Sequence, residues 1–428
     1  MTAADQPRPE REPYTTMTLT TEQLAPPRPG RGALPSYALA MFTLSACFGA
    51  PGGVLIAVQV AELAPDDKVQ VFGLISAVSA LAGALVSPIG GALSDRTRSR
   101  FGKRAPWIVA TALIGLLGMA GSGAARSVPV LLIVWSLTNV VLGVLQAVLT
   151  PYIADRVPLG KRGRASAYQG VAWLTGNTVG MALASQFTLS VLTGYLLFGA
   201  VAAAAALLFV FVAPERSTLD VERVPLTLRD LRKLHWVSPR RHPDFAWVFA
   251  ARALFHLGYG GPLYFLFYLV EDYIGYQGDV AEAVAILALL IAAPTLLAGP
   301  LTGLLTDRSG RRKPYVIAST ALMCAGTAVP LIWPTWPAMV VFVMMLGFGL
   351  GGYFSSDGVL MTLVLPRAED TGKDMGLFLL SGYVALAISP FYASLVVTHL
   401  GGYPALLMTS MTILALAAVA ILPVRGVR

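Results

Sequence analysis

Apolar residues along this chain are grouped into twelve long runs that polar segments separate. Each run has close to the roughly 20 residues that an α-helix needs to cross a bilayer. The first six runs lie at about residues 36–62, 69–93, 105–124, 128–154, 165–188 and 191–213, and the second six at about 245–271, 281–305, 314–332, 337–364, 374–397 and 403–423. The pattern therefore predicts an all-α membrane protein with twelve transmembrane helices.

The amino-acid composition supports burial in a membrane. Hydrophobic residues make up 56% of the 428 residues, charged residues make up 13%, and the mean hydropathy is +0.68. Soluble domains carry about 25% charged residues. Because charges this sparse cannot solvate the surface of a chain of this length, we expect lipid to cover most of the molecule.

Basic residues are distributed unevenly between the two sides of the predicted spans. All but three of the 31 Lys and Arg residues fall in the N-terminal tail, in the loops on one side or at the C-terminus; the exceptions are Lys68, Arg126 and Arg252. An excess of Lys and Arg marks cytoplasmic loops, so both termini are predicted to be cytoplasmic in a multi-pass protein of the cell (inner or plasma) membrane. The net charge of +8 thus reports topology and contact with the lipid bilayer, and it does not indicate nucleic-acid binding.

The polar segments divide the chain into four parts. Residues 1–34 are rich in Pro, Arg and Thr and are predicted to form a disordered cytoplasmic tail. Residues 35–213 and 244–424 each contain six apolar runs. The basic segment 214–243 is predicted to be a cytoplasmic linker between an N-terminal and a C-terminal six-helix bundle.

The same motif follows the second apolar run of each half. Residues 90–96 and 100–107 read GGALSDR and RFGKRAPW, and residues 303–315 read GLLTDRSGRRKPY. A repeat at matching positions indicates duplicated, pseudo-symmetric halves, as in many secondary transporters. Its members are Gly91, Asp95, Arg96, Gly102, Lys103 and Arg104 in the first half and Gly303, Asp307, Arg308, Gly310, Arg311 and Arg312 in the second.

The residue types of this motif suit a gate at helix ends. A carboxylate at a helix–loop junction can accept from free backbone N–H groups or pair with arginine, and glycines let helices approach closely. We interpret the two loops as gating loops that hold one closure of the protein together and separate in the other. The alternative is that the basic residues only anchor the topology.

The duplicated motif resembles the major facilitator superfamily. Four stretches are similar to its glycoside–pentoside–hexuronide:cation symporter family, and within it to bacterial members of the sucrose-transporter branch: SDRTRSRFGKRAPWI (94–108), QAVLTPYIADRVP (146–158), RGRASAYQGVAWLTGNTVG (162–180) and SDGVLMTLVLP…GKDMG (356–376). The resemblance implies the major facilitator fold of two six-helix bundles and a sucrose-like substrate. It also supports, as one of two interpretations of Asp155, a coupling proton at this residue, because the corresponding position carries it in plant-type relatives. Melibiose-permease relatives bind sodium through acidic residues in the second span, which has none here, so sodium coupling of that kind is not expected.

Charged side chains inside a span are costly and are therefore functional candidates. Asp357 precedes Pro366 by nine residues, which places it about two and a half helical turns inside the cytoplasmic end of its span. It is predicted to bind a coupling proton or substrate. Arg252 and His256 lie one turn apart on one helix face, and both are candidates for proton coupling or substrate binding. Arg252 can form a proton-sensitive pair with Asp357 or bind an anionic or hydroxylated substrate. The alternatives are that Asp357 clamps helices together, that Arg252 extends to the membrane surface and that His256 is a satisfied core residue.

Acidic residues at the ends of the predicted spans have a less specific interpretation. Asp155 lies beside Arg156 at the end of the fourth run, and we expect it to join a cytoplasmic charge network, with proton coupling as the alternative. Glu62, Glu271 and Asp272 lie at the opposite ends of spans. We expect these three to be solvated charges.

Amide and aromatic side chains within the runs suit the binding of a sugar. Neutral donors and acceptors beside aromatic faces are typical of such sites, and the segment Gly258–Pro262 is expected to interrupt the seventh helix, as in helices that line transport cavities. The alternative is that the amides join helices and the aromatics face lipid. The candidate cavity residues are Asn139, Gln146, Trp173, Asn177, Tyr259, Tyr264 and Tyr353.

Enzyme motifs are missing from the sequence. It contains no phosphate-binding loop, no His/Cys metal spacing and no G-x-S-x-G, and Cys47 and Cys324 lie in apolar runs that imply neither a disulfide nor a metal site. We predict a monomeric secondary transporter without a cofactor, driven by the proton gradient, that imports a sugar or glycoside by alternating access. The alternatives are a proton-antiporting exporter of a drug-like or secondary metabolite, whose usual Gly-Pro in the fifth span is missing here, and a receptor-like protein that binds ligand without moving it.

Overall fold

A computed structural model describes residues 30, 32–219, 240–364 and 371–424. Of the predicted tail, residues 1–29 and 31 lie outside the described residues, as do residues 220–239 of the predicted linker.

The regular structure of the described residues is helical throughout, and its long helices are numbered α1 to α12. The first six are α1 (Ala33–Leu63), α2 (Lys68–Asp95), α3 (Ala105–Gly123), α4 (Val128–Leu149, extended by Tyr152–Arg156), α5 (Leu159–Ala184) and α6 (Val191–Val212). The second six are α7 (Pro243–Tyr264, continued by Leu266–Tyr273), α8 (Val280–Ser309), α9 (Lys313–Ile332), α10 (Trp336–Leu363), α11 (Thr371–His399) and α12 (Gly402–Ile421). The predicted all-α fold is confirmed.

Ten of the described helices are long and apolar enough to cross a membrane, and the bent helix α7 makes eleven. The remaining helix, α5, has basic residues in its first turns and Gly, Thr and Asn along its length, which lower its hydropathy. Its 26 residues still exceed the roughly 20 that a span needs. The chain is therefore a multi-pass membrane protein.

The two halves repeat one packing scheme. In the first half α1 packs along α5, α2 along α4 and α3 along α6; in the second half α7 packs along α11, α8 along α10 and α9 along α12. Each helix pair of the second half has the helix numbers of a first-half pair increased by six. A pseudo-two-fold axis therefore relates the halves. They meet where α2 contacts α11 and α5 contacts α8, two interfaces that the same operation exchanges.

Glycines let the helices of each pair come close. A Cβ atom at Gly176 of α5 would overlap the carbonyl oxygen of Phe42 in α1. In the second half a Cβ atom at Gly351 of α10 would overlap the carbonyl oxygen of Thr295 in α8. Because no larger residue fits at this separation, small residues decide which faces of these helices meet.

Helix α7 bends at a different place from the predicted one. The helix continues through Gly258–Pro262 to Tyr264 and only then bends by 49°. The glycines serve packing instead, since a Cβ atom at Gly260 would overlap the hydroxyl of Ser389 in α11. Pro262 lacks the N–H group that would bond to the carbonyl one turn earlier, so the turn before the bend is weakened without being interrupted.

Candidate functional site

The loops rich in basic residues, 96–104 and 310–312, lie at one end of the helices, which we call the basic end. Helices α2 and α8 both finish at this end and begin at the other. Lys68 is the first residue of α2, so we call the other end the Lys68 end.

A buried ion pair joins α7 to α10 inside the second half. Nη1 of Arg252 contacts Oδ2 of Asp357, and the two side chains are only 8% and 3% exposed. An isolated charge at such a place costs several kcal/mol, about 3–5 kcal/mol when one partner of a buried pair is removed. Each residue therefore compensates the other, and the pairing that the sequence suggested is present in the structure.

A third helix holds the same guanidinium group. Nε of Arg252 donates to the carbonyl oxygen of Phe378 in α11 at 3.1 Å, and the hydroxyl of Ser381 donates to that oxygen at 2.7 Å. Arg252 consequently connects α7 to α10 through one nitrogen and to α11 through another.

His256 lies one turn after Arg252 on α7 and is buried. Its Nδ1 is 2.8 Å from the carbonyl oxygen of Arg252. Because a carbonyl oxygen only accepts, we assign the ring hydrogen to Nδ1, which leaves Nε2 of the neutral ring as an acceptor. Nε2 faces Gly382 in α11.

Aromatic rings of α7 and α10 pack beside the ion pair. Phe255 stacks on Tyr353 with ring centroids 3.4 Å apart, and the ring of His256 lies 5.6 Å from Tyr259. Two of the predicted cavity residues, Tyr259 and Tyr353, thus belong to this cluster. Tyr264 is the last residue of α7 before the bend.

The other four predicted cavity residues are half-buried in the first half, on α4 and α5. The ring of Trp173 lies 5.8 Å from Phe48, and its carbonyl oxygen accepts from the hydroxyl of Ser45. Within the described part of the chain, no hydrogen bond, ion pair or ring contact joins these four residues to the Arg252–Asp357 cluster. They are Asn139, Gln146, Trp173 and Asn177.

Two basic residues hold two carboxylates at the basic end of the first half. Lys103 and Arg104 each lie between 3.0 and 3.2 Å from Asp95 of α2 and from Asp155 at the end of α4. Asp155 is 37% exposed. The structure therefore places Asp155 in a charge network, as the first of its two interpretations expects.

Glu215 completes this network, although its sequence context did not single it out. Its Oε2 accepts from the backbone N–H of Arg104 at 2.8 Å. Gly102 has a φ of 96°, which favours glycine, and a Cβ atom there would overlap the Glu215 side chain. The sequence feature that could have identified Glu215 is its position three residues after the end of α6, next to a basic segment.

The second copy of the motif forms an equivalent ion pair. Arg312 lies 2.6 Å from Asp307 and contacts the hydroxyl of Thr306, as Arg104 pairs with Asp95. Gly310, at a φ of 65°, corresponds to Gly102. The Asp and the last Arg of each copy therefore brace the loop between two helices.

The remaining motif residues have separate surroundings. Gly91 and Gly303 face α4 and α10, where a Cβ atom would lie 3.6 Å from Ala147 and 3.1 Å from Ser355. The other three are exposed arginines, of which Arg96 donates to the carbonyl of Ala92 at 3.2 Å. They are Arg96, Arg308 and Arg311.

An ion cluster joins the two halves at the Lys68 end. Nζ of Lys68 in α2 lies 2.7 Å from Glu271 and 2.8 Å from Asp272, which follow the bend of α7. The expectation that these two carboxylates are simply solvated is wrong, because the π-helical turn Leu269–Tyr273 brings both to one ammonium group. Glu62 is exposed, as expected.

Further contacts across the halves support this closure. The hydroxyl of Tyr268 donates to the carbonyl oxygen of Ala57 at 3.3 Å, and Phe72 meets the ring of Tyr268 edge-on at 5.4 Å. Gly73 packs against Ser394 in α11. The two halves are therefore closed against each other at the Lys68 end.

Comparisons with known proteins agree with this architecture. The family model of the Major Facilitator Superfamily matches residues 34–299 and 278–427. The Membrane-associated transporter protein of Mus musculus is 30% identical over 94 residues, which are 22% of this chain and 17% of the mouse protein. Its Homo sapiens counterpart is 27% identical over 99 residues, 23% of this chain and 18% of that protein. The matched segment is thus less than a fifth of the length of these relatives.

Two solved structures share the fold. A variant of the nucleoside transporter NupG superposes with a TM-score of 0.73 at 12% identity, covering 92% of this chain and 99% of that one. The D-xylose-proton symporter superposes with a TM-score of 0.67 at 18% identity, covering 92% and 98%. At these identities the likeness concerns the fold alone. With the family match over both repeated halves, it follows that the chain belongs to the major facilitator superfamily of membrane transporters.

Proposed function

We propose that this protein is a secondary active transporter that moves a neutral sugar or glycoside together with protons by alternating access. The observation that carries the proposal is the buried Arg252–Asp357 pair. A proton on Asp357 would remove its charge and leave Arg252 attached to α11 only. Proton binding would thereby change how α7 is held to α10, which is the kind of change that coupling requires.

The charges inside the spans favour a neutral substrate. Away from the helix ends of the described residues, Arg252 and Asp357 are the charged side chains within spans, and they neutralise each other. A charged substrate would need an unpaired opposite charge to offset its desolvation. Hydroxyl groups instead need amides and aromatic faces, and Asn139, Gln146 and Trp173 offer both in the first half.

The setting of the transporter follows from the same residues. We propose that the basic end faces the cytoplasm of the cell (inner or plasma) membrane, because basic loops are retained there. Residues 35–213 and 244–424 would be the two moving bundles, with 214–243 as the linker. The protein would act as a monomer with the proton gradient as its energy source and no cofactor. The resemblance to the sucrose-transporter branch supports a glycoside substrate.

A second candidate function is a proton-antiporting exporter of a drug-like or secondary metabolite. The stacked rings of Phe255 and Tyr353 and the neighbouring Phe354 favour it, since they offer an apolar surface beside the ion pair. The two candidates differ in the direction in which protons move relative to the substrate.

Substrate-induced pH change in liposomes that contain the purified protein tests the proposal over a panel of glycosides. Adding a transported glycoside outside should make the external medium more alkaline, and Asp357→Asn should abolish this change because its side chain cannot take up the proton. Asp155→Asn is the control and should retain it, since Asp155 belongs to a partly exposed network.

The outcomes separate the candidates. No response of the wild type to any glycoside would contradict a sugar substrate, and external acidification with drug-like compounds would favour the exporter. A glycoside response that survives in Asp357→Asn and disappears in Asp155→Asn would transfer the proton site to Asp155.

A further inference from the structure

Helix α11 reaches the buried ion pair through Gly382. A Cβ atom at this position would lie 3.0 Å from Cε1 and Nε2 of His256 and 3.2 Å from Nε of Arg252. At such distances the neighbouring groups must move by a few tenths of an ångström. The absence of a side chain at residue 382 is therefore what lets α11 lie against both residues.

The same close approach supports the hydrogen bond from Arg252 to α11. Phe378, whose carbonyl oxygen accepts from Nε at 3.1 Å, lies one turn before Gly382 on the same helix. If α11 were pushed away at Gly382, this bond would lengthen. The guanidinium group would then lose its contact with α11 and keep only its contact with Asp357.

The ring of His256 lies against Arg252 on its own helix and against Gly382 on α11. One edge is fixed, because Nδ1 donates to the carbonyl oxygen of Arg252, and the other edge faces Gly382. A side chain at residue 382 must therefore displace the ring, the guanidinium group or α11 itself. Each displacement changes the contacts that hold Arg252 in place beside Asp357.

We propose that Gly382 is a positioning residue that sets, through His256 and Arg252, how tightly Asp357 is held and hence the pH at which Asp357 takes up a proton. The inference rests on the proposed role of Asp357 as the proton site. The attraction between the two charges falls with their separation. A looser pair stabilises the carboxylate less, so Asp357 would bind its proton at higher pH.

Titratable groups other than Arg252 also lie beside the pair, but Arg252 is the partner that decides the charge of Asp357. Among the described side chains they are the phenols of Tyr259 on α7 and Tyr353 on α10, which interact with Arg252. Tyr383 on α11 interacts in turn with Tyr259. Tyrosine ordinarily titrates near pH 10 and stays neutral over the working range of a proton-coupled protein. The ring of His256 donates from Nδ1 to the carbonyl oxygen of Arg252.

Infrared difference spectroscopy of the purified full-length protein in liposomes, titrated with acid, measures this directly. The carboxylic-acid band that is missing in Asp357→Asn identifies Asp357. In Gly382→Ala its midpoint should move to higher pH by about 0.5–1 unit. The matched control is Gly358→Ala, which should leave the midpoint unchanged. Gly358 neighbours Asp357 in α10, and a Cβ atom there meets nothing within 4 Å.

A second variant tests the route through His256. His256→Asn keeps an N–H group near the position of Nδ1 and removes the ring atoms that face Gly382. Combined with Gly382→Ala, it should return the midpoint towards the wild-type value. If Gly382→Ala does not fold, recovery of a folded double variant is the expected result, and failure to recover either protein would overturn the proposal.

The band is read without any transport, which separates this inference from the proposed function. Equal midpoints in Gly382→Ala and Gly358→Ala, or no titrating Asp357 band at all, would overturn the role of Gly382. A shifted band in a protein whose uptake does not involve protons would contradict the proposed symport and leave the positioning role intact.

Discussion

Arg252 is the residue on which the candidate site depends. It lies inside a membrane-spanning helix, and its charge is compensated by Asp357 on α10 and by a carbonyl group on α11. Removing one partner of a buried pair leaves an uncompensated charge and costs about 3–5 kcal/mol, whereas replacing both partners by apolar residues is often neutral. The two kinds of substitution therefore separate a structural role from a functional one.

Arg252→Met should lower the thermal stability of the purified protein clearly, because it leaves Asp357 buried without its cation. Arg252→Met combined with Asp357→Leu should recover most of that stability and remain without proton-coupled uptake. Lys103→Met is the control, since its partly exposed ion pairs are each worth up to about 1 kcal/mol. Thermal unfolding in detergent measures the stability of the wild type and of the three variants. A double variant no more stable than Arg252→Met would contradict this account of the pair.

Helix pairs with glycine contacts are the structural units of each half. In α5, Gly176 lies against the backbone of α1, while Gly170 lies on the same helix with nothing within 4 Å of a Cβ atom. The two positions share a residue type and a secondary structure. They differ only in whether another helix is close.

Substituting alanine at these two glycines should affect stability differently. Gly176→Ala should reduce stability and the yield of folded protein, because the added methyl group would overlap the carbonyl of Phe42 and separate α1 from α5. Gly170→Ala should be neutral or stabilise the protein by up to about 1 kcal/mol, since alanine is the better helix former. Size-exclusion profiles and thermal unfolding of both variants check this, and similar losses in the two would refute the packing explanation.

At the scale of the whole molecule, the Lys68 end is where the halves are joined. Lys68 belongs to the first half, and its partners Glu271 and Asp272 belong to the second. Beside them is a cavity of about 340 Å³ that both halves line, with Asp66 on one side and Thr398 on the other. The alternating access that we propose requires this end to open, which would separate Lys68 from both carboxylates.

Lys68→Met should increase the population open at this end by about two- to fivefold, because it removes a partly exposed cluster that contributes about 0.5–1 kcal/mol in total. Double electron–electron resonance measures the separation of the halves between spin labels attached to Asp66→Cys and Thr398→Cys. Cys47 and Cys324 are replaced by serine in this protein. The population with the longer distance should increase. Glu62→Gln, which changes an exposed charge at the same end, should leave the distribution unchanged, and an equal effect of both variants would argue against a specific closure.

Individual charges show how far the site could be predicted. The Arg252–Asp357 pair was one of the interpretations that the sequence offered, because a charge inside an apolar run has few ways to be compensated and an opposite charge was available. The pairing of Lys68 with Glu271 was not predicted, because it depends on the bend after Tyr264 and joins residues some two hundred positions apart. Gly382 has no side chain that would mark it in the sequence, so only the position of α11 reveals its contact with His256.

The sequence by itself determined which segments cross the membrane, that the chain is duplicated, and which charges lie inside it. These properties follow from local hydropathy and from a repeated motif, and neither depends on distant contacts. Only the tertiary structure decided which helix faces meet, where α7 bends and which residues close the Lys68 end. Those outcomes depend on close packing between helices, where one methyl group decides whether two surfaces can touch.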